Sequence, residues 1–300
     1  MMPTMVQQET ALCCPICLGK ETAAIRPYRS GLTPSLGPFA DLSSRSCGQC
    51  SAAFACPLPE ENELEAFYAE SYRVERGQRS MPRPDAWDGG SVRARAQAAF
   101  VLEQLGSGGS WLDIGAGYGL LLDEARRRHV ARTGAIEPDL YCGRQIQESG
   151  HHLYVSLSEV RSSWDVVSCS HVLEHLRNPR EFLRTVRGLL SKQGIVFCEV
   201  PNETRLSESP QDLPHLHFFT QVSLMRLFQD SGMTILALSS CGPMAPESGW
   251  RKTMREGARR ASQRLFRQPP SWIDRLVHPH FHYHEDRSAG AWLRLLARKA

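Results

Sequence analysis

Eight consecutive residues, Leu112-Asp113-Ile114-Gly115-Ala116-Gly117-Tyr118-Gly119, restrict the fold more than any other stretch of the chain. They continue a short apolar run begun at Trp111 and open onto Leu120 to His129, where apolar residues recur at helical spacing. A strand that passes directly into a helix through three glycines belongs at the carboxyl edge of an open α/β sheet, the edge where such folds bind ligands. The glycines permit positive φ angles and let a ligand approach bare backbone. Asp113 adds an acceptor at the mouth of the turn.

The same rhythm continues downstream. Thr133 to Glu137, Asp165 to Ser168, Ile195 to Val200 and Met233 to Ser239 are further short apolar runs. Between them Pro179 to Leu190 and Ser223 to Gln229, and before them Ser91 to Leu105, have apolar residues three and four apart. This alternation predicts a doubly wound, Rossmann-like α/β fold with a parallel sheet and crossover helices. Gly194 and Gly232 are expected to end two of the helices. A last strand is expected over Trp292 to Ala297, after an irregular insertion from Cys241 to Ser288.

At 300 residues and 41% hydrophobic content, the chain can bury a full core plus a smaller module. A net charge of +3 is too small to imply nucleic-acid binding by the molecule as a whole. Met1 to Thr10 lacks a secretory pattern, and no apolar run has the length of a membrane span. Four of the ten cysteines fall in two Cys-x-x-Cys pairs, which favours metal ligation in a reducing compartment. A cytoplasmic protein is expected.

Glu137 ends the second strand 18 residues beyond Gly119, where a carboxylate can accept both hydroxyls of a ribose. A dinucleotide fingerprint would place its third glycine three residues after the second, at the position held by Leu120. A Gly-x-Gly-x-Gly loop preceded by an acid suits instead a nucleoside with a zwitterionic amino-acid tail and no pyrophosphate.

Trp111 to Gly119, Ala135-Ile136-Glu137-Pro138-Asp139, Ser163 to Leu176, Val200-Pro201-Asn202 and His215-Leu216-His217-Phe218-Phe219-Thr220 occur in an order and spacing that resemble the class I S-adenosylmethionine-dependent methyltransferases, in the group that includes ubiquinone-biosynthesis and sugar methyltransferases. The resemblance covers roughly residues 95 to 240 and implies a seven-stranded sheet with S-adenosylmethionine as cofactor. It implies that Asp113, Gly115, Ala116, Gly117 and Gly119 line the methionine part, and that Glu137 and Pro138 lie at the ribose. Ser158 or Glu159 would meet the adenine edge, with His171 beneath the sulfonium.

Cys14-Pro15-Ile16-Cys17 and Cys47-Gly48-Gln49-Cys50 form two knuckles separated by 29 residues, a pattern that supplies four thiolates to one tetrahedral Zn²⁺. With four thiolates the ion has no open position, so its role is structural. Followed by Phe67, Tyr68 and Tyr72, this module is similar to the amino-terminal segment of deoxysugar carbon-methyltransferases. The expected organisation is a zinc module over 1–75, a linker over 76–95, and a methyltransferase domain over 96–300 that contains the insertion 241–288.

Methyl transfer needs alignment, exclusion of water and, for many acceptors, a base. His171, His175, His215 and His217 are the candidates, since imidazole titrates near neutrality. His215 stands first because the resemblance aligns it with a histidine that acts as base in the carbon-methyltransferases. Asp212 and Pro214 replace that group's neighbouring Tyr and Glu, and its long carboxyl-terminal domain is missing, which favours an oxygen or nitrogen acceptor. A small molecule or a glycan is expected, with a sugar pathway ahead of a secondary metabolite, and no nucleic acid.

Arg251 to Arg267 has seven basic residues and one acid, with Leu265, Phe266, Trp272 and Ile273 nearby. A solvated helix and a contact with anionic lipid through 251–273 are the two readings. The alternating His278, His280, His282 and His284 are read as a polar loop without a metal. Rival readings for the whole chain are a nucleic-acid-binding protein with the cofactor as regulatory ligand, a nicotinamide-dependent reductase, and a carbon-methyltransferase acting on a nucleotide-deoxysugar. Oligomeric state is left open.

Overall fold

The structure is a computed structural model that describes residues 13–27, 37–39, 42–68, 83–86, 88–105, 108–203, 215–242, 250–277 and 290–300. Residues 76–82 and 87 of the expected linker lie outside the described residues, as do the histidines at 278–284 and the amino-terminal Met1 to Thr10, and the end of that linker, from Gly89, is already helical.

The large sheet is built from β4 (Ser110–Ile114), β5 (Arg132–Ile136), β6 (His152–Tyr154), β7 (Trp164–Ser170), β8 (Leu190–Pro201), β10 (Met233–Cys241) and β11 (Trp292–Lys299). Its order is β10-β11-β8-β7-β4-β5-β6. All neighbouring pairs among β8, β7, β4, β5 and β6 are parallel. The expected doubly wound, seven-stranded sheet is present and mostly parallel, and only its last strand, β11, runs antiparallel, to both β8 and β10. It fills the gap between them as the returning arm of a hairpin.

All five residues of β4 are buried, as a central strand covered on both faces requires. Gly119, at φ 73°, caps α3 (Leu120–Arg127), which buries Leu121, Leu122 and Ala125 on the sheet. Arg126 and Arg127 end α3 where cations complement the helix dipole. On the same pattern stand α2 (Gly89–Leu105), α5 (Pro179–Leu189) and α6 (Gln221–Asp230). The last is started by a capping box between Thr220 and Ser223. Gly232 follows α6 at φ 76°, as expected. Gly194 does not end a helix: α5 stops at Leu189, and Gly194 lies within β8, where a Cβ would stand 2.7 Å from the Trp164 carbonyl oxygen. Close strand packing, not helix termination, explains that glycine.

Two elements were not foreseen. Asp139 accepts a hydrogen bond from the Cys142 backbone at 2.8 Å and starts α4 (Leu140–Glu148), and β6 completes the sheet edge. The expected irregular insertion also needs correction, since it contains α7 (Trp250–Leu265) and α8 (Ser271–Val277).

A smaller sheet has the order β1-β2-β3-β9, from β1 (Thr22–Pro27), β2 (Ser43–Cys47), β3 (Ala53–Cys56) and β9 (His217–Phe218). The first three strands come from the cysteine-bearing region, and the fourth comes from the far side of the large sheet in sequence. Ile16, Phe54, Phe219, Leu224 and Phe228 share one buried core with Leu112 and Val196, so the two sheets are packed together. Arg180 reinforces the joint by donating to the Ile16 carbonyl at 2.7 Å.

Candidate active site

The order of the large sheet reverses between β7 and β4, which opens a crevice at their carboxyl ends. A cleft of about 530 Å³ lies there, lined by Gly115, Glu137, Pro138, Asp139, His171, Val172 and His175, with Leu64, Glu65 and Tyr68 from the amino-terminal region closing one wall. Leu64 belongs to α1 (Glu61–Ala66).

The glycine turn is held against β5 by bonds from the Gly115 and Ala116 amides to the Ile136 carbonyl, at 2.8 and 3.2 Å. Gly115, Gly117 and Gly119 all have φ between 54° and 73°. A Cβ on Gly115 would meet Val172 Cγ2 at 2.5 Å, whereas one on Gly117 would meet nothing within 4 Å. Gly115 is thus needed for close approach of the two loops, and Gly117 leaves open space above the strand end. Glu137 closes the turn: its two oxygens accept from the Gly117 amide at 2.7 Å and the Asp139 amide at 3.0 Å. A carboxylate oxygen can accept more than one hydrogen bond.

Asp113 is buried below the loop. Trp111 Nε1 donates to Ser168 Oγ at 2.7 Å, and Ser168 donates to Asp113 at 2.5 Å. Burial pushes the Asp113 carboxyl up to about 7, against the Ser168 hydrogen bond and with a smaller contribution from Glu137. Ser158 is not brought to this cleft; it lies exposed on a short turn and bonds Ser156 at 2.8 Å. Glu159 accepts from the Val155 amide instead of facing the cleft.

The histidines gather around Glu174, a carboxylate with no exposed surface. Its Oε1 lies 3.2 Å from His171 Nδ1, 3.8 Å from His175 Nε2 and 3.9 Å from His215 Nε2. Burial opposes this charge, yet the His171 hydrogen bond and the three imidazoles hold Glu174 down at about 2. His171 adopts φ 55° and also reaches Glu199 at 3.6 Å. Burial works against its protonation as well, but Glu174 and Glu199 prevail and raise it to about 9. His171 is therefore an imidazolium at neutral pH and has no free lone pair with which to act as base.

His175 turns its Nδ1 to the Tyr68 hydroxyl at 3.0 Å and lines the cleft. His215 stacks edge-on against His175 at 4.8 Å and lies behind it, outside the cleft lining. His217 donates to the Leu176 carbonyl at 2.8 Å, and burial lowers its pKa to about 4. Its place is in β9, which pairs with β3.

Glu174 and Glu199 are the functional groups that sequence reasoning did not single out. Glu199 is wholly buried and held well below the usual carboxylate range: burial opposes the charge, and Arg294, at 2.5 Å, overcomes it. Gln97 Nε2 also donates to it at 2.7 Å. A glutamate within an apolar strand run was the available signal.

Both knuckles of the cysteine cluster have the same backbone. Leu18 and Ser51, each following the second cysteine, have φ 62° and 58°, and their amides return to the Cys14 and Cys47 carbonyls at 2.8 and 3.0 Å. The Sγ atoms of Cys14 and Cys50 are 3.7 Å apart, and those of Cys17 and Cys47 are 3.6 Å apart. Four thiolates about 2.3 Å from a tetrahedral ion would be separated by about 3.8 Å, whereas a disulfide needs about 2.05 Å. The four expected ligands are thus brought together at metal-cluster spacing.

The family described as "Methyltransferase domain" matches residues 90–238. A ubiquinone biosynthesis O-methyltransferase of Caulobacter vibrioides is 35% identical over 103 residues, which are 31% of this chain and 41% of that protein. One from Aeromonas salmonicida is 26% identical over 156 residues, 43% of this chain and 64% of the relative. The matches thus span about half the length of these relatives. Among solved structures, Burkholderia thailandensis 1,6-didemethyltoxoflavin-N1-methyltransferase, with bound 1,6-didemethyltoxoflavin and S-adenosylhomocysteine, superposes with a TM-score of 0.51 at 18% identity, covering 84% of this chain and 97% of that one. The [4+2]-cyclase SpnF superposes with a TM-score of 0.50 at 16% identity, covering 81% and 98%. Shared architecture extends to a protein named for a different reaction, so the fold alone does not fix the chemistry. Residues 90–238 match the methyltransferase-domain family, and together with β11 they build the seven-stranded α/β sheet.

Proposed function

We propose that the chain is an S-adenosylmethionine-dependent methyltransferase that acts on an oxygen or nitrogen of a small molecule with an apolar body. The observation that carries this reading is the cleft itself, where the glycine turn, Glu137 and the His175–Tyr68 pair surround one space at the switch point of the sheet. The bound cofactor would supply an electrophilic methyl group on a sulfonium. Glu137 would hold the ribose hydroxyls, and the open backbone at Gly117 would lie along the methionine part. Asp113 would give up its proton and ionise beneath the cofactor's cationic groups.

His175 is the base in this reading, in place of His215, because it reaches the cleft while Glu174 orients its far nitrogen. Tyr68 would hand the acceptor's proton to His175 or position the acceptor against it. His171, fixed as an imidazolium, would orient groups instead of accepting protons. Leu64, Ile114, Ile136, Val172 and Leu176 give the cleft an apolar lining. Such walls leave the many hydroxyls of a glycan without partners, which favours a phenol, a catechol or an aromatic amine. The relatives named as O-methyltransferases support an oxygen acceptor.

The cysteine cluster would hold a structural Zn²⁺, supported by its thiolate spacing, and so fix the sheet that carries β9. The test of the activity is a panel of phenols, catechols, amines and nucleotide-sugars incubated with radiolabelled S-adenosylmethionine. Label in a phenol, catechol or amine supports the reading; label only in a nucleotide-sugar returns the acceptor to the glycan class.

A further inference from the structure

The insertion between β10 and β11 is not used by the chemistry above. It leaves at Cys241 and returns at Trp292, which are register partners, and Trp292 also pairs with Pro201 at the end of β8. The insertion therefore springs from the same sheet edge as the cleft. Trp292 itself stands edge-on to His171, with ring centres 6.1 Å apart.

Within the insertion, Ala258 of α7 and Phe266, which follows that helix, pack with Ile273 and Val277 of α8 and with Ala86. This small core anchors the two helices beside the segment in which Arg83 donates to the Tyr118 carbonyl of the glycine turn at 3.0 Å. What it leaves uncovered is unusual for a solvated helix. Met254, Leu265 and Trp272 are 67%, 76% and 64% exposed. Met254 and Leu265 are eleven residues apart, close to three helical turns, so they share one face of α7 with the exposed Ala261. Arg259, Arg260, Arg264, Arg267 and Arg275 are also exposed. Glu256 is the one acid of α7, and it lies 3.6 Å from Arg260.

We infer that α7 and α8 form a docking surface for an anionic lipid bilayer, with Met254, Leu265 and Trp272 entering the headgroup region and the arginines meeting lipid phosphates. An amphipathic helix with a strongly basic polar face and low overall hydrophobicity has this behaviour, and tryptophan favours the interface. Nucleic acid would use the arginines but would gain nothing from exposed Met254 and Leu265. This inference stands independently of the methyl-transfer reading, although it would bring the cleft mouth near a membrane-dissolved acceptor.

The test is co-sedimentation of the full chain with vesicles of phosphatidylcholine alone and of phosphatidylcholine with about a third phosphatidylglycerol. The expected result is binding at least about tenfold stronger to the anionic vesicles, weakening as salt rises. The combined variant Arg259→Glu, Arg260→Glu, Arg264→Glu abolishes that preference, and Leu265→Ser with Trp272→Ser weakens binding by about tenfold or more. Unchanged circular dichroism verifies that these surface variants fold. Equal association with both vesicles, or anionic binding that neither variant changes, would overturn the inference. So would salt-sensitive binding to DNA with no retention on vesicles.

Discussion

The Tyr68 hydroxyl lies 3.0 Å from His175 Nδ1, so a residue of the amino-terminal region completes a polar pair on the cleft wall built by the loop after β7. Sequence separation of 107 residues hides this pairing from any local pattern. It makes the amino-terminal region part of the cleft wall as well as a support for it.

For Tyr68→Phe, turnover should fall by about tenfold to a hundredfold with little change in cofactor affinity, and His175→Ala should lower it by about a hundredfold or more. His215→Ala should have the smaller effect, since His215 lies behind His175. Steady-state kinetics on an identified acceptor checks the order; full turnover by His175→Ala would remove it as the base.

Glu137→Ala should weaken S-adenosylhomocysteine binding by about tenfold or more, because it loses acceptors for two hydroxyls and also frees the Gly117 amide. Gly115→Ala should go further and abolish binding, since its new Cβ meets Val172 at 2.5 Å. Calorimetry with each variant reads both effects.

Asp113, with its carboxyl near 7 before ligand binds, should lose a proton when the cationic cofactor arrives. Affinity should rise by about tenfold between pH 6 and 7.5 as that proton ceases to compete. In Asp113→Asn the pH dependence should flatten. Calorimetry in buffers of different ionisation enthalpy would detect the released proton directly.

His171 sets a separate pH window. Its pKa is raised from 6.5 to about 9 on folding, so its contribution to stability is complete below pH 6.5 and disappears as pH rises through 9. Denaturant unfolding at pH 6.5 and 9.5 should differ by about 1–3 kcal/mol, and His171→Gln should remove most of that difference.

Elemental analysis should find about one zinc per chain. Cys14→Ser or strong chelation should lower the melting temperature and reduce turnover together, because β3 pairs with the β9 strand that follows His215. A chain free of metal and equally stable would refute the zinc assignment.

Legibility in the sequence followed locality. The glycine turn, the carboxylate after β5 and both cysteine knuckles are set by residues within a few positions of one another, and each could be read directly. His152–Tyr154 is too short a strand to show alternation, and only the sheet edge gives it a place. Glu174 and Glu199 acquire their roles from His171, Arg294 and Gln97, which are distant in the chain except for His171. His215 stood first on the resemblance, yet the histidines that line the cleft are His171 and His175 of the loop after β7, and Tyr68 pairs with the second. The basic run at 251–267 was legible as a charged helix, but its packing against Ile273 and Val277 was not, because α8 lies beyond it in a stretch that reads as irregular.

In the proposed function, the cleft between β4 and β7 holds an adenosyl group with an amino-acid tail. Titration calorimetry of the purified chain with S-adenosylhomocysteine tests it most directly. One molecule bound per chain, with affinity lost in Gly115→Ala, is the expected result; no heat and no thermal stabilisation with either S-adenosylhomocysteine or S-adenosylmethionine at any pH would contradict it.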